Sequence, residues 1–199
     1  MTGSENDMAR PREFDEDVLL DAVMHCFWSQ GYEATSVKDL TCETGITAAS
    51  LYNAYGDKRG LFRAALDRYV VHITERIQKG ETLPPHEAIA YFFDQILSRS
   101  LNDREHKGCM LVNSALELAP HDPEFRRTIA DALKNIEMFF LRCITAGQTD
   151  GTVTRALPAE QLARHLLSVL MGVRVLARAR PEKALLEGAV KTALALLRS

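Results

Sequence analysis

Apolar residues recur at every third or fourth position along most of the chain, and this spacing predicts helices. The strict apolar–polar alternation of a half-buried strand does not persist anywhere. Glycines and prolines separate the periodic segments. The pattern therefore predicts an all-α protein of about nine helices. They are expected at approximately 14–30, 35–55 (two short helices), 58–79, 85–99, 105–118, 123–146, 159–179 and 181–197.

The segment 35–62, TSVKDLTCETGITAASLYNAYGDKRGLF, predicts two short helices joined by a tight turn and followed by the start of a longer one. Thr35 is a good N-cap, and Gly45 stands where a helix can end in the left-handed conformation. Thr47 caps a second helix whose Leu51 faces the core. This arrangement predicts a helix-turn-helix, whose second helix enters the DNA major groove. An ordinary helical hairpin is the alternative.

Two longer sequence motifs, one after the other along the chain, extend this interpretation. They are VLLDAVMHCFWSQGYEATSV at 18–37 and LYNAYGDKRGLF at 51–62. They match the words ILxAAxxxFxxxGYEATSV and LYxxFxxKxxLF, so residues 14–66 resemble the DNA-binding domain of the TetR family of bacterial transcriptional regulators. A looser match, KGCMLVNSALEL at 107–118, resembles a core-domain helix of one large branch of that family.

The resemblance implies a domain organisation. Residues 14–57 are expected to form a three-helix DNA-binding domain, and residues 58–199 a helical bundle for ligand sensing and dimerisation. Residues 1–13 lack an apolar signal region and are predicted to be a disordered arm. We expect a repressor that leaves its operator when an unknown small-molecule effector, or a thiol modification, alters the C-terminal domain.

The resemblance also implies DNA contacts from the basic arm and from the helix-turn-helix. The candidates are Arg10, Arg12, Thr35, Ser36, Thr47, Ala48, Ala49, Ser50, Tyr52, Asn53 and Lys58. Thr35 and Ser36 are expected to cap the first helix against a phosphate, and Asn53 can read a base edge. Ala54 stands where the family often has histidine, which leaves few side chains to specify bases.

The charge balance opposes DNA binding in part. Residues 1–60 hold five basic and eleven acidic side chains, a formal net charge of −6. Phosphate neutralisation supplies much of the affinity for DNA. We therefore expect modest binding by one protomer, and a dimer on a near-palindromic operator. The acidic domain keeps a second interpretation open, an all-helical protein–protein interaction module without sequence-specific DNA binding.

The sixth and seventh predicted helices are rich in apolar and soft side chains, with a few polar groups among them, which is typical of a ligand site. Plain core packing is the alternative. The candidate pocket residues are Phe92, Cys109, Met110, Asn113, Leu116, Glu117, Met138 and Phe139.

Cys109 follows His106, Lys107 and Gly108 at the start of the sixth predicted helix. A helix N-terminus and a neighbouring cation both lower the pKa of a thiol. Some regulators of the resembling branch carry a sensing cysteine at the matching position, so the resemblance implies a thiol trigger. A small buried hydrophobic residue is the alternative.

The last two predicted helices are apolar on more than one face, which predicts a homodimer paired through a four-helix interface. The candidate interface residues are Leu166, Leu170, Gly172, Val173, Leu186, Val190 and Leu194.

Other functional classes receive little support. No run of about 18 apolar residues predicts a membrane span. The four cysteines lack CxxC spacing, which favours reduced thiols in the cytoplasm. The histidines are scattered, and no orienting carboxylate accompanies His106 and Cys109. We expect no membrane partner, no metal site, no cofactor, no catalytic residues and no enzymatic activity.

Overall fold

The structure is a computed structural model that describes residues 15–198. The predicted arm 1–13, with Arg10 and Arg12, lies outside the described residues. Within residues 15–198 the chain forms nine helices and no strand, which confirms the predicted all-α class. They are α1 Glu16–Gln30, α2 Val37–Thr44, α3 Ala48–Tyr55, α4 Lys58–Gly80, α5 Pro85–Asn102, α6 Met110–Glu117, α7 Pro123–Asp150, α8 Ala159–Ala179 and α9 Lys183–Ala195.

Helices α1, α2 and α3 form the N-terminal head. Side-chain caps fix where α3 and α4 begin. Thr47 Oγ1 accepts the backbone N–H of Ser50 at 3.2 Å, and Asp57 accepts that of Gly60 at 2.7 Å. The predicted N-cap at Thr47 is confirmed, and Asp57 is the N-cap of α4. Gly45 ends α2 in the left-handed conformation with φ 68°, which is also as predicted.

The predicted N-cap at Thr35 is wrong by one residue. Ser36 caps α2, because its Oγ accepts the N–H of Asp39 at 3.2 Å while the Asp39 carboxylate accepts the N–H of Ser36 at 2.8 Å. This reciprocal pair is a capping box. Thr35 is fully buried, and its hydroxyl donates to the Gly31 carbonyl at 2.5 Å. Its hydroxyl therefore cannot reach a phosphate as predicted.

The head buries one stripe of α1 against Leu40, Leu51 and Leu61. The buried α1 residues are Leu19, Val23, Met24, Cys26 and Phe27. The apolar spacing of this segment predicts a stripe of Val18, Ala22, Val23, Cys26 and Phe27, but Val18 lies on the outer face and is 67 % exposed. Helical periodicity alone permitted either choice, since Val18 and Leu19 are adjacent apolar residues.

Helix α4 leaves the head and packs into a C-terminal bundle made of α5, α7, α8 and α9. The bundle core is a cluster of aromatic rings, in which Phe93 and Phe140 stack at 5.7 Å between centroids. Phe92 and Phe139 lie beside them with centroids 5.4 Å apart. Aromatic pairs at these separations add stability beyond the area that they bury.

Two boundaries differ from the prediction. Helix α7 continues to Asp150, although a loop was predicted from Gly147. A Cβ at Gly147 would lie 2.4 Å from the Val153 side chain, so this glycine permits close packing inside a helix rather than ending it. Helix α6 begins only at Met110. The preceding loop is held by Asp103, which accepts the backbone N–H of Lys107 at 2.7 Å.

None of the helices formed by residues 15–198 combines the length and the apolar composition that crossing a bilayer requires.

Candidate DNA interface and thiol centre

The outer face of α3 presents small and polar side chains. Ala49, Ser50 and Asn53 are exposed, whereas Leu51 is fully buried on the opposite face. Asn53 forms no side-chain hydrogen bond with any residue in 15–198, so both ends of its amide are available to a base edge. The Thr47 hydroxyl is occupied, because it donates to Ser50 Oγ at 3.0 Å.

The remaining predicted contacts lie at the margins of this face. Tyr52 is half-buried against the core, and Ala48 is partly exposed. The Lys58 ammonium donates to the Glu33 carbonyl at 3.3 Å and lies 4.7 Å from the centroid of the Tyr32 ring. Lys58 therefore needs to change partner before it can bind a phosphate.

The acidic side chains of the head have structural roles. Arg68 pairs with Asp17 at 2.7 Å and with Asp21 at 2.9 Å. The hydrogen bond from Arg68 lowers the pKa of Asp21, and the hydrogen bonds from Ser36 lower the pKa of Asp39. Asp17 and Asp21 are therefore compensated by Arg68 within the protein, which reduces their repulsion of a DNA backbone.

Helix α6 joins the bundle to the head. Glu117, its last residue, accepts the backbone N–H of Tyr32 at 3.0 Å and that of Glu33 at 2.7 Å. Both donors lie in the loop between α1 and α2. The predicted role of Glu117 in a ligand pocket is therefore wrong, since its carboxylate holds the head.

A second connection joins the start of α4 to the start of α7. Arg59 donates to Asp122 at 2.9 Å and to Glu124 at 2.6 Å. The rings of Phe62 and Phe125 meet edge to face at 5.3 Å. The hydrogen bond from Arg59 lowers the pKa of Glu124. Residues 117–124 thus contact the head at one end, through Glu117, and the start of α4 at the other, through Asp122 and Glu124.

Cys109 lies at the N-terminus of α6 in a buried polar cluster. The Tyr69 hydroxyl donates to Cys109 Sγ at 3.4 Å, and Arg174 Nη2 donates to the Tyr69 oxygen at 3.3 Å. Arg174 also donates to Ser100 Oγ at 3.0 Å and to the Gly108 carbonyl. The thiol therefore touches α4 through Tyr69, and Tyr69 touches α8 through Arg174.

This cluster favours the thiolate form of Cys109. Burial alone would raise the pKa of the Cys109 thiol, but the Arg174 guanidinium and the Tyr69 hydroxyl outweigh burial and lower it. The cation beside Cys109 is Arg174, and not Lys107 as the sequence predicted. Lys107 instead pairs with Asp103 at 3.0 Å. Burial raises the pKa of Cys26 and of Cys143 to about 11, so these two thiols are poor nucleophiles.

Most of the predicted pocket is packed core or surface. Only Phe92 and Cys109 of the eight candidates line the small cavity beside the thiol, whose volume is about 20 Å³. Met110 and Phe139 are buried core residues, and Asn113 donates to the Lys107 carbonyl at 3.0 Å. Leu116 is 73 % exposed and Met138 is 38 % exposed. The aromatic rings fill the space that the sequence assigned to a ligand.

Most of the predicted dimer residues face their own protomer. The fully or almost fully buried ones are Leu166, Leu170, Val173, Leu186 and Val190, and Leu194 is partly buried. They pack α8 and α9 onto the bundle, so a partner cannot contact them. Gly172 is exposed, and a Cβ built on it meets no atom within 4 Å. Gly172 lies on the outer face of α8, and the prediction from sequence did not distinguish this face from the inner one.

Sequence reasoning missed Arg174 and its partner Tyr69. One signal was available: Arg174 lies four residues after Leu170 and eight after Leu166, in the buried stripe of α8. A charged residue in such a stripe must find partners inside the fold.

These features together define a class of protein: a helix-turn-helix DNA-binding regulator whose head is attached to a C-terminal helical bundle. Residues 19–65 match the bacterial regulatory proteins of the tetR family, and residues 85–193 match the tetracyclin repressor-like C-terminal domain. The second match covers more than half of the chain. The chain belongs to the TetR family, and it is a DNA-binding transcriptional regulator.

Known relatives agree with this assignment. The chain is 31 % identical over 172 residues to the HTH-type transcriptional repressor ComR of Escherichia coli (strain K12), covering 85 % of this chain and 82 % of ComR. It is 31 % identical over 198 residues to the regulator YezE of Bacillus subtilis (strain 168), covering 96 % and 100 %. The predicted family and repressor class are confirmed, and the interaction-module alternative has no support.

Among solved structures, a cysteine mutant of the TetR family regulator CifR complexed with 26-bp double-strand operator DNA is similar to this chain. The TM-score is 0.83 at 31 % identity, and the match covers 95 % of this chain and 100 % of the CifR chain. The predicted double-stranded DNA partner is therefore supported at the level of the fold.

Proposed function

We propose that the chain is a homodimeric, cytoplasmic repressor that reads a near-palindromic operator with α3 and releases it when the thiol centre is altered. One observation carries the proposal. Cys109 is the N-cap of helix α6, which ends at Glu117, and Glu117 holds the head by two backbone hydrogen bonds. A change at the thiol is therefore one short helix away from the DNA-binding unit.

The exposed face of α3 supports the reading step. In a two-fold dimer, the two α3 helices enter successive major grooves about one helical turn of DNA apart. Asn53 supplies the bidentate group that can distinguish bases, and Ser50 supplies a hydroxyl. Ala48 and Ala49 permit close approach to the groove. Ser36, Tyr52 and Lys58 are proposed phosphate contacts.

The small cavity beside Cys109 supports the release step. At about 20 Å³ it holds about one water molecule, so a substituent on Sγ does not fit without displacing Tyr69 or Arg174. Displacing Tyr69 moves α4, and displacing the N-terminus of α6 moves Glu117. The eight-residue helix α6 is about 12 Å long and transmits such a shift as a rigid body. The modification thus favours a state in which the two heads no longer match the operator.

The outer faces of α8 and α9 are the proposed dimer surface. Val175 is 47 % exposed on α8, and Leu196 is 47 % exposed just after α9. Gly172 lies one helical turn before Val175 and allows a partner helix to approach closely. A two-fold axis through this surface would pair α8 and α9 with their copies in a four-helix arrangement.

The proposal is tested with DNA fragments that the purified protein selects from a genomic pool. We expect the enriched fragments to share one near-palindromic sequence. Because Cys42 is exposed to the reagent, the release experiment uses a Cys42→Ser background. N-ethylmaleimide should release Cys42→Ser from the selected DNA but not release Cys42→Ser/Cys109→Ser. Equal release of both proteins would exclude the thiol trigger, and fragments without a shared sequence would exclude the operator.

A further inference from the structure

An open groove separates the head from the bundle on the side of α1. Its larger part has a volume of about 530 Å³ and lies between α1, the end of α5, the loop before α6, and α8. A second part of about 200 Å³ continues between α1, α4 and α5. His25, Trp28 and Arg99 line both parts. We call the two parts together the arginine groove.

Four guanidinium groups line the groove, and none of them has an acidic partner among residues 15–198: Arg76, Arg99, Arg104 and Arg174. Among residues 15–198, neither Arg76 nor Arg99 forms an ion pair or a side-chain hydrogen bond. Arg174 is 5 % exposed and has no carboxylate partner, and its Nε has no hydrogen-bond partner in this part of the chain. A buried cation is costly unless an opposite charge compensates it.

The positive charges of Arg76, Arg99 and Arg174 also repel one another. Burial, and then the neighbouring charges of Arg99 and Arg174, lower the pKa of Arg76. The acids nearby are already engaged, because Lys107 binds both Asp103 and Glu105. Asp21, in the smaller part of the groove, is paired with Arg68 at 2.9 Å. The groove therefore has an excess of positive charge that no described side chain compensates.

An aromatic wall stands beside these charges. Trp28 lines both parts of the groove, and its ring meets that of Tyr69 edge to face at 5.1 Å. The indole Nε1 is buried and has no hydrogen-bond partner among residues 15–198. Met24 and Ala177 add apolar surface. An apolar wall with a few convergent polar donors is typical of small-molecule sites.

We propose that the arginine groove binds a small organic anion, with its oxyanion group on Arg99 and Arg174 and its apolar body against Trp28. Guanidinium groups bind carboxylate and phosphate oxygens equally well in geometric terms, so the shared chemistry is an oxyanion on an apolar body. The groove adjoins the small cavity that Cys109 lines, because Arg76 and Arg174 line both.

The regulatory meaning of this site rests on the proposed function. Trp28 belongs to the head, whereas Arg174 belongs to α8 of the bundle. A ligand that touches both fixes the head relative to the bundle, and it thereby biases the population of the DNA-binding state.

The test uses the full chain without DNA. Trp28 is the single tryptophan, so intrinsic fluorescence reports on the groove. We expect the fluorescence to change saturably with benzoate or phenyl phosphate, and not to change with neutral benzamide. Comparing the two anions shows whether a carboxylate or a phosphate is preferred. The affinity should fall about tenfold or more in Arg99→Gln, and it should also fall in Arg76→Gln, which removes a neighbouring positive charge from the groove. It should be unchanged in Arg127→Gln, which alters an exposed arginine on α7 outside the groove.

Thermal unfolding provides a second readout that needs no ligand. Removing one of several uncompensated like charges relieves repulsion, so Arg76→Gln should unfold at the same or a higher temperature than the wild type. The proposal is overturned if neither anion gives a saturable change, if benzamide binds equally well, or if Arg99→Gln and Arg76→Gln bind as tightly as Arg127→Gln. None of these outcomes involves DNA, so the operator proposal stands or fails separately.

Discussion

Glu117, the last residue of α6, accepts the backbone N–H of Glu33 at 2.7 Å across the junction between the bundle and the head. The same carboxylate accepts the N–H of Tyr32 at 3.0 Å. A carboxylate that accepts from two successive amides forms charge-assisted hydrogen bonds, which are stronger than neutral ones. The orientation of the helix-turn-helix therefore depends on a side chain that lies far from it in sequence.

Glu117→Ala should loosen the head. Removing the carboxylate leaves two amide donors without their acceptor, which costs about 1–3 kcal/mol of stability. Glu117→Gln retains one acceptor oxygen and should cost less. Hydrogen exchange at the Tyr32 and Glu33 amides should be faster in Glu117→Ala, and unchanged in Glu160→Ala, an exposed glutamate at the start of α8. Wild-type protection of both amides in Glu117→Ala would show that Glu117 does not hold the head.

The thiols should differ in their pH dependence of alkylation. The thiolate is the reactive form, and its population grows as the pH rises through the pKa. Since the pKa of Cys109 is lowered, its alkylation by iodoacetamide should level off below the pH at which an ordinary thiol does. Cys26 and Cys143, with pKa values of about 11, should still become more reactive above pH 9. Mass spectrometry of each cysteine across a pH series measures these profiles.

Tyr69→Phe tests the cause of the Cys109 shift. The variant removes the hydroxyl that donates to Sγ at 3.4 Å, so the pKa of Cys109 should rise and its profile should move to higher pH. Tyr91→Phe is the matched control, because Tyr91 is on α5 and forms no side-chain hydrogen bond within residues 15–198. Identical Cys109 profiles in the two variants would contradict the assigned role of Tyr69.

Val175→Glu should produce a monomer. In a two-fold interface the substitution buries two uncompensated carboxylates, one from each protomer. Val71→Glu is the matched control, since Val71 is 46 % exposed on α4 and Val175 is 47 % exposed on α8. Sedimentation velocity at micromolar concentration should show dimers for the wild type and Val71→Glu, and monomers for Val175→Glu. A dimer of Val175→Glu would place the interface elsewhere.

The local features of this fold were predictable from the sequence. The helical spacing, the caps at Thr47 and Asp57, and the αL residue at Gly45 depend on residues within one or two turns. Such signals are contained in a short window of sequence. The wrong N-cap prediction at Thr35 is also a local error. Thr35 and Ser36 are both good caps, and only the buried hydrogen bond of Thr35 distinguishes them.

The long-range features were not predictable. An apolar stripe indicates burial but does not say whether its own protomer or a partner covers it, and this is why Leu166 and Leu170 were assigned to the dimer. Arg174 meets residues 66 to 105 positions away, and Glu117 meets residues 84 and 85 positions away. No local pattern encodes these contacts, yet they form the thiol centre and the link to the head.

The central claim is that α3 reads DNA, and fluorescence anisotropy on the selected near-palindromic fragment tests it most directly. Asn53→Ala should weaken binding by about 1–3 kcal/mol, which is the value of one good base contact. Asn135→Ala, an exposed asparagine on α7, should bind like the wild type, and the affinity of both proteins should fall steeply as salt increases. The claim is contradicted if Asn53→Ala and Asn135→Ala bind the fragment with equal affinity.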